Sequence, residues 1–190
     1  RVINAGFFTQ ALFDLRDRYF FTVGARVDGN SAFGDDFGLQ TYPKVSFSWV
    51  ASDETFWPQW SPAMKLPAAW GQSGRAPGGF DAVRTWDPVG WGGSPAFYPN
   101  NVGNPDLGPE RTSEIELGFD AAFLGDRITT EFTWYDRKID DALFEVSQIP
   151  SNGFLESQLR NVGQMKSSGL ELTVNGAVLP RQNFEWTLGG

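Results

Sequence analysis

The 190-residue sequence predicts an all-β chain, an antiparallel meander of about eight strands, and three observations carry that prediction. Polarity alternates with period two in eight separate runs, as in strands whose two faces meet different surroundings. The runs are punctuated by 22 Gly and 12 Pro, and 15% of the residues are aromatic, which suits strands and turns better than helices. The links between runs are alternately shorter and longer. In a meander that places the shorter links at one end of the strands and the longer links at the other.

The first run spans 5–15 and leads through "RDR" into the second, 19–28, where Tyr19, Phe21, Val23, Ala25 and Val27 alternate with Phe20, Thr22, Gly24, Arg26 and Asp28. After a longer link at 29–41, the third run (42–52) sets Val45, Phe47, Trp49 and Ala51 against Lys44, Ser46, Ser48 and Val50. An intermediate link, 53–63, crowds Trp57 and Trp60 between prolines, which fits either interfacial anchoring or the packing of a turn. The fourth run, 64–73, contains Pro67, which has no N–H to give a ladder and puts the local pairing in question.

A very long link, 74–111, precedes the fifth run (112–123), in which Ile115, Leu117, Phe119, Ala121 and Phe123 oppose Glu114, Glu116, Gly118, Asp120 and Ala122. Only "LGDR" separates it from the sixth, 128–138, so the two form a hairpin. A long link at 139–165 leads to the seventh run, 166–178, with Leu170, Leu172, Val174, Gly176 and Val178 on one side. "LPRQN" then leads to the eighth, 184–190, where Phe184, Trp186 and Leu188 oppose Glu185 and Thr187.

Two-faced strands of this kind fit two environments. In a soluble sheet the apolar side packs inward and the polar side meets water. In a transmembrane barrel the apolar side meets lipid and the polar side a wet lumen, with brief turns at one rim and extended loops at the other. Phe13, Tyr19, Trp49, Trp134 and Trp186 recur towards strand ends, where an interfacial girdle places its rings. No stretch of about 20 apolar residues exists, which excludes a spanning helix but not spanning strands of about 9–11 residues.

Several functions are excluded. A net charge of −8 without a Lys/Arg cluster gives nucleic acid no footprint. The absence of Cys and His removes thiolate and imidazole ligands and most nucleophile–base pairs. "GQSG" (71–74) lacks the frame of a nucleophile elbow. Asp140 with Asp141, or Glu114 with Glu116, are solvated charges rather than a glycosidase pair, which needs a cleft and a set separation. "DGNSAFGDD" (28–36) misses the terminal Glu of a calcium loop and is an acidic turn. No enzyme, metal or cofactor is expected.

Four segments, in order along the chain, resemble one family. "NPDLGPERTSEIELGFDAAFLGDRITTEFTWYDRKIDDAL" (104–143), with Asn104, Pro105, Asp106, Leu107, Pro109 and Glu110, is similar to the strand–turn–strand signature of TonB-dependent outer-membrane receptors of the SusC/RagA-like branch. "RYFFTVGARVDGNSAFGDD" (18–36), with Arg26, Asp28, Gly29, Ser31, Phe33 and Gly34, resembles a second signature. "KLPAAWGQSGRAP" (65–77) and "NVGQMKSSGLELTV" (161–174) resemble two more. Pro67 departs from the pattern, since such strands commonly carry a basic residue there.

The resemblance implies that residues 1–190 are part of a larger transmembrane barrel of about 22 strands, without its plug domain or its closing C-terminal strand. It implies a bacterial outer-membrane location and TonB-coupled import of a bulky nutrient such as an oligosaccharide, peptide or metal chelate. The implied partners are outer-membrane lipid, the TonB complex through a plug domain absent here, a surface lipoprotein and the nutrient ligand. Arg26, Asp28, Glu114, Glu116, Asp120 and Glu131 would line the wet interior or touch the plug. In the 74–111 loop, Arg75, Phe80, Trp86, Trp91, Phe97 and Tyr98 either form a platform for sugar rings or other flat faces, or pack the loop itself. The competing expectation is a soluble β-sandwich that binds carbohydrate through this loop. As a piece of a barrel, the chain would expose two edges and an apolar face and would not be a stable soluble monomer.

Overall fold

The computed structural model describes residues 3–32, 38–154, 156–177 and 187–189. Its main feature is an antiparallel eight-stranded sheet in the order β1-β2-β3-β4-β7-β8-β11-β12. These strands are β1 (Asn4–Leu15), β2 (Tyr19–Asn30), β3 (Gln40–Val50), β4 (Ala63–Arg75), β7 (Glu110–Phe123), β8 (Ile128–Asp140), β11 (Gln164–Ala177) and β12 (Thr187–Gly189). Each expected run corresponds to one of them. Phe33, Gly34, Val178, Phe184, Glu185, Trp186 and the 179–183 link lie outside the described residues.

The long links contain two hairpins that alternation did not reveal, β5 (Thr85–Trp91) with β6 (Ser94–Asn101) and β9 (Leu143–Val146) with β10 (Gln158–Asn161). Pro88, Gly90, Pro95 and Pro99 interrupt the first of these. Both hairpins lie at the end of the sheet reached by the long links. At the opposite end the connections are tight. Arg16 (φ 60°) and Asp17 (φ 54°) both take positive φ, the turn geometry that matches strand twist, and the Asp14 carboxylate accepts the Asp17 N–H at 3.0 Å. Leu124, Gly125 and Asp126 likewise have φ of 56°, 66° and 64°.

Prolines thin the ladders around β4. The β3–β4 rungs run from Val50↔Lys65 to Lys44↔Gly71 and stop where Pro43 would be next, although both strands continue. Tyr42, 6% exposed, lies against Gly74 beside that seam: a Cβ on Gly74 would come 1.9 Å from the Tyr42 hydroxyl. Pro67 still faces Ser48, but the β4–β7 ladder skips Leu66 and Pro67, as a missing N–H requires.

The register sorts side chains cleanly. Phe13, Phe21, Phe47, Ala68, Leu117, Trp134 and Leu170 form one cross-sheet row, and Leu15, Tyr19, Trp49, Leu66, Phe132 and Leu172 belong to another on the same face. This face is uncovered: Phe7 is 74% exposed, Leu172 61% and Leu117 45%. The few buried apolar residues include Ala32, Leu107, Ala142 and Phe154 in the long links, not a layer behind the sheet. The greasy rows are therefore not the inside of a sandwich.

The apolar belt crosses the ladder rows on a slant. Phe7, the uppermost large apolar side chain within β1, shares a row with Val27 and Thr41, and the β3–β4 register carried past its last rung continues that row to Gly74, Arg111, Asp140 and Gln164. On β11 the belt begins only at Leu170, six residues further along than Gln164. That is a drop of about 20 Å over six strand gaps totalling about 29 Å, a slope of about 35°. The slant explains why Trp134 is mid-strand in β8 and yet caps the belt there, with Asp136 and Lys138 next on the same face.

Candidate functional site: the polar wall and its loop clamp

The other face of the sheet carries the charges. Arg26 and Asp28 on β2, Glu114, Glu116 and Asp120 on β7, and Glu131 on β8 all project from it, as period two predicted. Arg26 Nε donates to both Asp28 oxygens at 2.8 Å. Glu114 accepts a bidentate pair from Arg137, at 2.8 and 3.0 Å, on the strand directly opposite. Asp120 and Glu131 stand opposite each other, a like-charge pairing that Lys65 relieves from 3.5 Å on the Asp120 side. Arg137, Lys65, Lys44 and Ser73 belong to this wall but were not singled out from sequence, because only register reveals which charges face each other. Two hollows, of about 360 and 490 Å³, open on this wall and share Lys44 and Ser73.

At the long-link end, residues 103–110 form a clamp. Gly103 has φ 72°, and a Cβ there would sit 2.5 Å from the Arg84 nitrogen, so only glycine fits. The Asn104 side chain accepts the Asp106 N–H at 3.2 Å and donates to Leu159 O at 3.1 Å. Pro105 starts a turn closed by Leu107 N–H donating to Asn104 O at 3.2 Å, and Leu107 is fully buried. Asn161 Oδ1 accepts from Gly108 N–H at 2.8 Å, while its Nδ2 donates to Gly108 O and Asp141 O at 2.9 Å each. After Pro109, β7 starts at Glu110, whose carboxylate accepts the Leu143 N–H at 3.2 Å and lies 3.9 Å from Arg75. The motif thus ties the two long links together at the head of β7.

The aromatic candidates divide. In the β5–β6 hairpin Trp86 and Phe97 share one face, with Pro88 and Pro99, whereas Trp91 and Tyr98 occupy the other. Trp86 meets the buried Phe154 at 5.7 Å, and Arg84 covers the same ring at 5.5 Å, which fastens the hairpin to the second link. Trp91 stands free at the tip, 79% exposed, beside Gly92 and Gly93. Phe80, Phe97 and Tyr98 are also exposed, and Arg75 is at the base with Glu110.

At the tight-turn end the Glu54 carboxylate accepts from the Tyr19 hydroxyl, from Trp49 Nε1 at 3.2 Å and from Arg18 at 3.5 Å. The Tyr19 bond chiefly holds Glu54 below the usual carboxylate range, with Trp49 and Arg18 adding to it against the cost of desolvation. Tyr19 and Trp49 stack at 6.4 Å. Among the described residues, no group of three or more acidic, His or Cys side chains is placed to hold a metal ion.

The sequence matches the model of the family described as TonB dependent receptor-like, beta-barrel, over residues 1–190. The chain belongs to this TonB-dependent receptor β-barrel family. TonB-dependent receptor P26 of Formosa agariphila is 30% identical over 192 residues, covering 96% of the chain and 19% of that protein. TonB-dependent receptor SusC of Bacteroides thetaiotaomicron is 28% identical, over 96% of the chain and 19% of its own length. The chain thus spans about a fifth of these relatives. Among solved structures, the RagAB peptide transporter superposes with a TM-score of 0.85 at 22% identity, over 95% of the chain and 20% of that chain. The siderophore receptor PirA from Pseudomonas aeruginosa gives 0.67 at 18% identity, over 99% and 33%.

TonB-dependent receptor barrels are bacterial outer-membrane proteins, not enzymes, and the fold agrees with that setting. The belt's slope of about 35° falls in the 35–45° strand tilt of outer-membrane barrels. On β7 the belt runs from Ile115 to Phe123, about 27 Å along the strand and about 22 Å in height, close to the apolar band of about 25 Å. Tyr19 and Trp49 mark its lower edge, Trp70 and Trp134 its upper edge.

Proposed function

We propose that the chain is a wall segment of an outer-membrane importer that carries a bulky nutrient through its lumen with TonB-supplied energy. The slanted belt is the observation that carries this reading. It turns one face of the sheet towards hydrocarbon, and the face bearing Arg26, Asp28, Glu114, Glu116, Asp120 and Glu131 towards water or the plug. The TonB complex acts through a plug domain elsewhere in the protein, so no bond is made or broken by these residues. Nutrient is met first by the outer loops, where the clamp formed by Asn104, Pro105, Asp106, Leu107, Pro109 and Glu110 holds the β5–β6 hairpin firm. Exposed Trp91, Phe97 and Tyr98 offer flat apolar surfaces to a sugar ring, a peptide or a chelate, with a surface lipoprotein as a second partner at that end.

The test uses the full-length receptor in a host whose own copy is deleted. Growth is measured on a panel of oligosaccharides, peptides and metal chelates as sole nutrients, with and without functional TonB. The proposal expects at least one nutrient that requires both receptor and TonB. It also expects Trp91→Ala with Tyr98→Ala to reduce binding and uptake of that nutrient; unchanged uptake sinks the platform role while leaving the transport reading standing.

A further inference from the structure

Lys44 is unlike the other cations of the polar wall. Arg26, Lys65, Arg75 and Arg137 each have a carboxylate partner, at 2.8, 3.5, 3.9 and 2.8 Å. Among the described residues, no ion pair holds Lys44. Its cross-strand neighbours are Gly24 and Gly71, so neither adjoining strand puts a side chain beside it. The Lys44 stem lies over Gly24, where a Cβ would come 3.0 Å from Lys44 Cε. Both wall hollows open at this point, one towards Ser46 and Glu116, the other towards Phe8 and Arg26, and Ser73 borders both. Each is of a size that holds part of a small ligand.

We propose that these hollows form one binding subsite for a carboxylate-bearing imported ligand, with Lys44 as its counter-charge. The geometry separates two tasks. Phe8, 74% exposed, offers an apolar platform on one side, and the Ser46 and Ser73 hydroxyls supply neutral hydrogen bonds on the other. The Lys44 ammonium then decides charge, because Arg26 is already engaged by Asp28 and the remaining free charge nearby, Glu116, repels an anion. The wall therefore selects for an acidic group placed beside a neutral, hydroxyl-rich or flat segment. This subsite rests on the lumen-facing orientation proposed above.

The experiment measures affinity by calorimetry on the full-length receptor in lipid nanodiscs. The probes are tetragalacturonate and its methyl ester, and an aspartate-containing hexapeptide and its methyl ester; the two pairs distinguish a sugar acid from a peptide acid. The expected result is an acid form that binds about tenfold more tightly than its ester, a preference that shrinks between low salt and roughly 0.5 M. Lys44→Gln abolishes the preference while leaving ester affinity in place; Lys44→Arg and the paired-site control Lys65→Gln keep it. The inference is overturned if no acid probe outbinds its ester, if the preference ignores salt, or if it survives in Lys44→Gln. It is also overturned if Lys44→Gln instead makes the plug protease-sensitive without any probe, which would assign Lys44 to a plug carboxylate. Brominated-lipid quenching of tryptophan in the same nanodiscs checks the orientation of the wall independently of Lys44.

Discussion

On the proposed orientation, a single-residue step along β8 separates hydrocarbon from water. Thr130 lies on the belt face between Ala121 and Val174, and Thr129 on the polar face between Ala122 and Asn175. On β7 the middle of the belt is Phe119, opposite Phe132. The slope lowers the middle by about one residue per strand, so on β8 it falls between Phe132 and Thr130. Thr130→Arg therefore places a guanidinium within one residue of the bilayer midplane. Such a substitution costs about 2–4 kcal/mol, a factor of roughly 30 to 700 in the folding equilibrium. Thr129→Arg sits in the aqueous bore near Glu131 and stays within about 0.5 kcal/mol of wild type. Both variants of the full-length receptor are unfolded by urea in lipid vesicles, with the heat-modifiable gel shift as the folded signal. Equal costs, or a larger cost at Thr129, would refute the orientation from which the lumen assignments follow.

Three further outcomes are expected. Asn161→Ala removes three clamp hydrogen bonds at about 1 kcal/mol each; protease or amide exchange should attack 76–109 and 141–163 in the full receptor roughly 100-fold faster, with β7 and β8 unchanged. Glu54, held below the usual carboxylate range, stabilises the 51–62 turn at and above its ordinary value of about 4.3, and that contribution is lost as pH falls through its lowered value. Trp49 fluorescence should therefore change in acid in the wild type and stay flat in Glu54→Gln, and a matching acid transition in both would count against the link. The isolated 190-residue chain should aggregate in detergent-free buffer, because its belt and edge strands are uncovered; a sharp, reversible melt of a monomer would contradict this.

Alternation sufficed to find the eight strands because each sets unlike residues on its two faces, and it failed where the faces become alike. β7 starts at Glu110 and Arg111, two residues before the expected run, and β8 ends at Ile139 and Asp140, two residues beyond it, where polarity no longer alternates with burial. The β5–β6 hairpin hid behind Pro88, Pro95 and Pro99, residues that normally argue against a strand but are tolerated where no further strand pairs with it. Tyr19 and Trp49 could be placed near a rim from sequence, whereas Trp134 could be understood only after register showed the slant. The clamp was legible as a set of residues and not as a device. Its partners Leu159 and Asn161 come more than fifty residues later and owe their position to the β9–β10 hairpin.

The same limit applies to the wall and gives it its meaning. Sequence tells that Lys44, Glu114 and Arg137 face one way; it does not tell that Glu114 is consumed by Arg137 while glycines leave Lys44 open on both flanks. In a wet bore an ion pair is nearly neutral to a passing ligand, so on the proposed reading four of the five cations on the described wall add little to selectivity. What discriminates between ligands is the charge left over. On the described wall Lys44 is the cation without a carboxylate partner, so on the proposed reading the position of one ammonium, flanked by Gly24 and Gly71 in the neighbouring strands, is where an anion would rest.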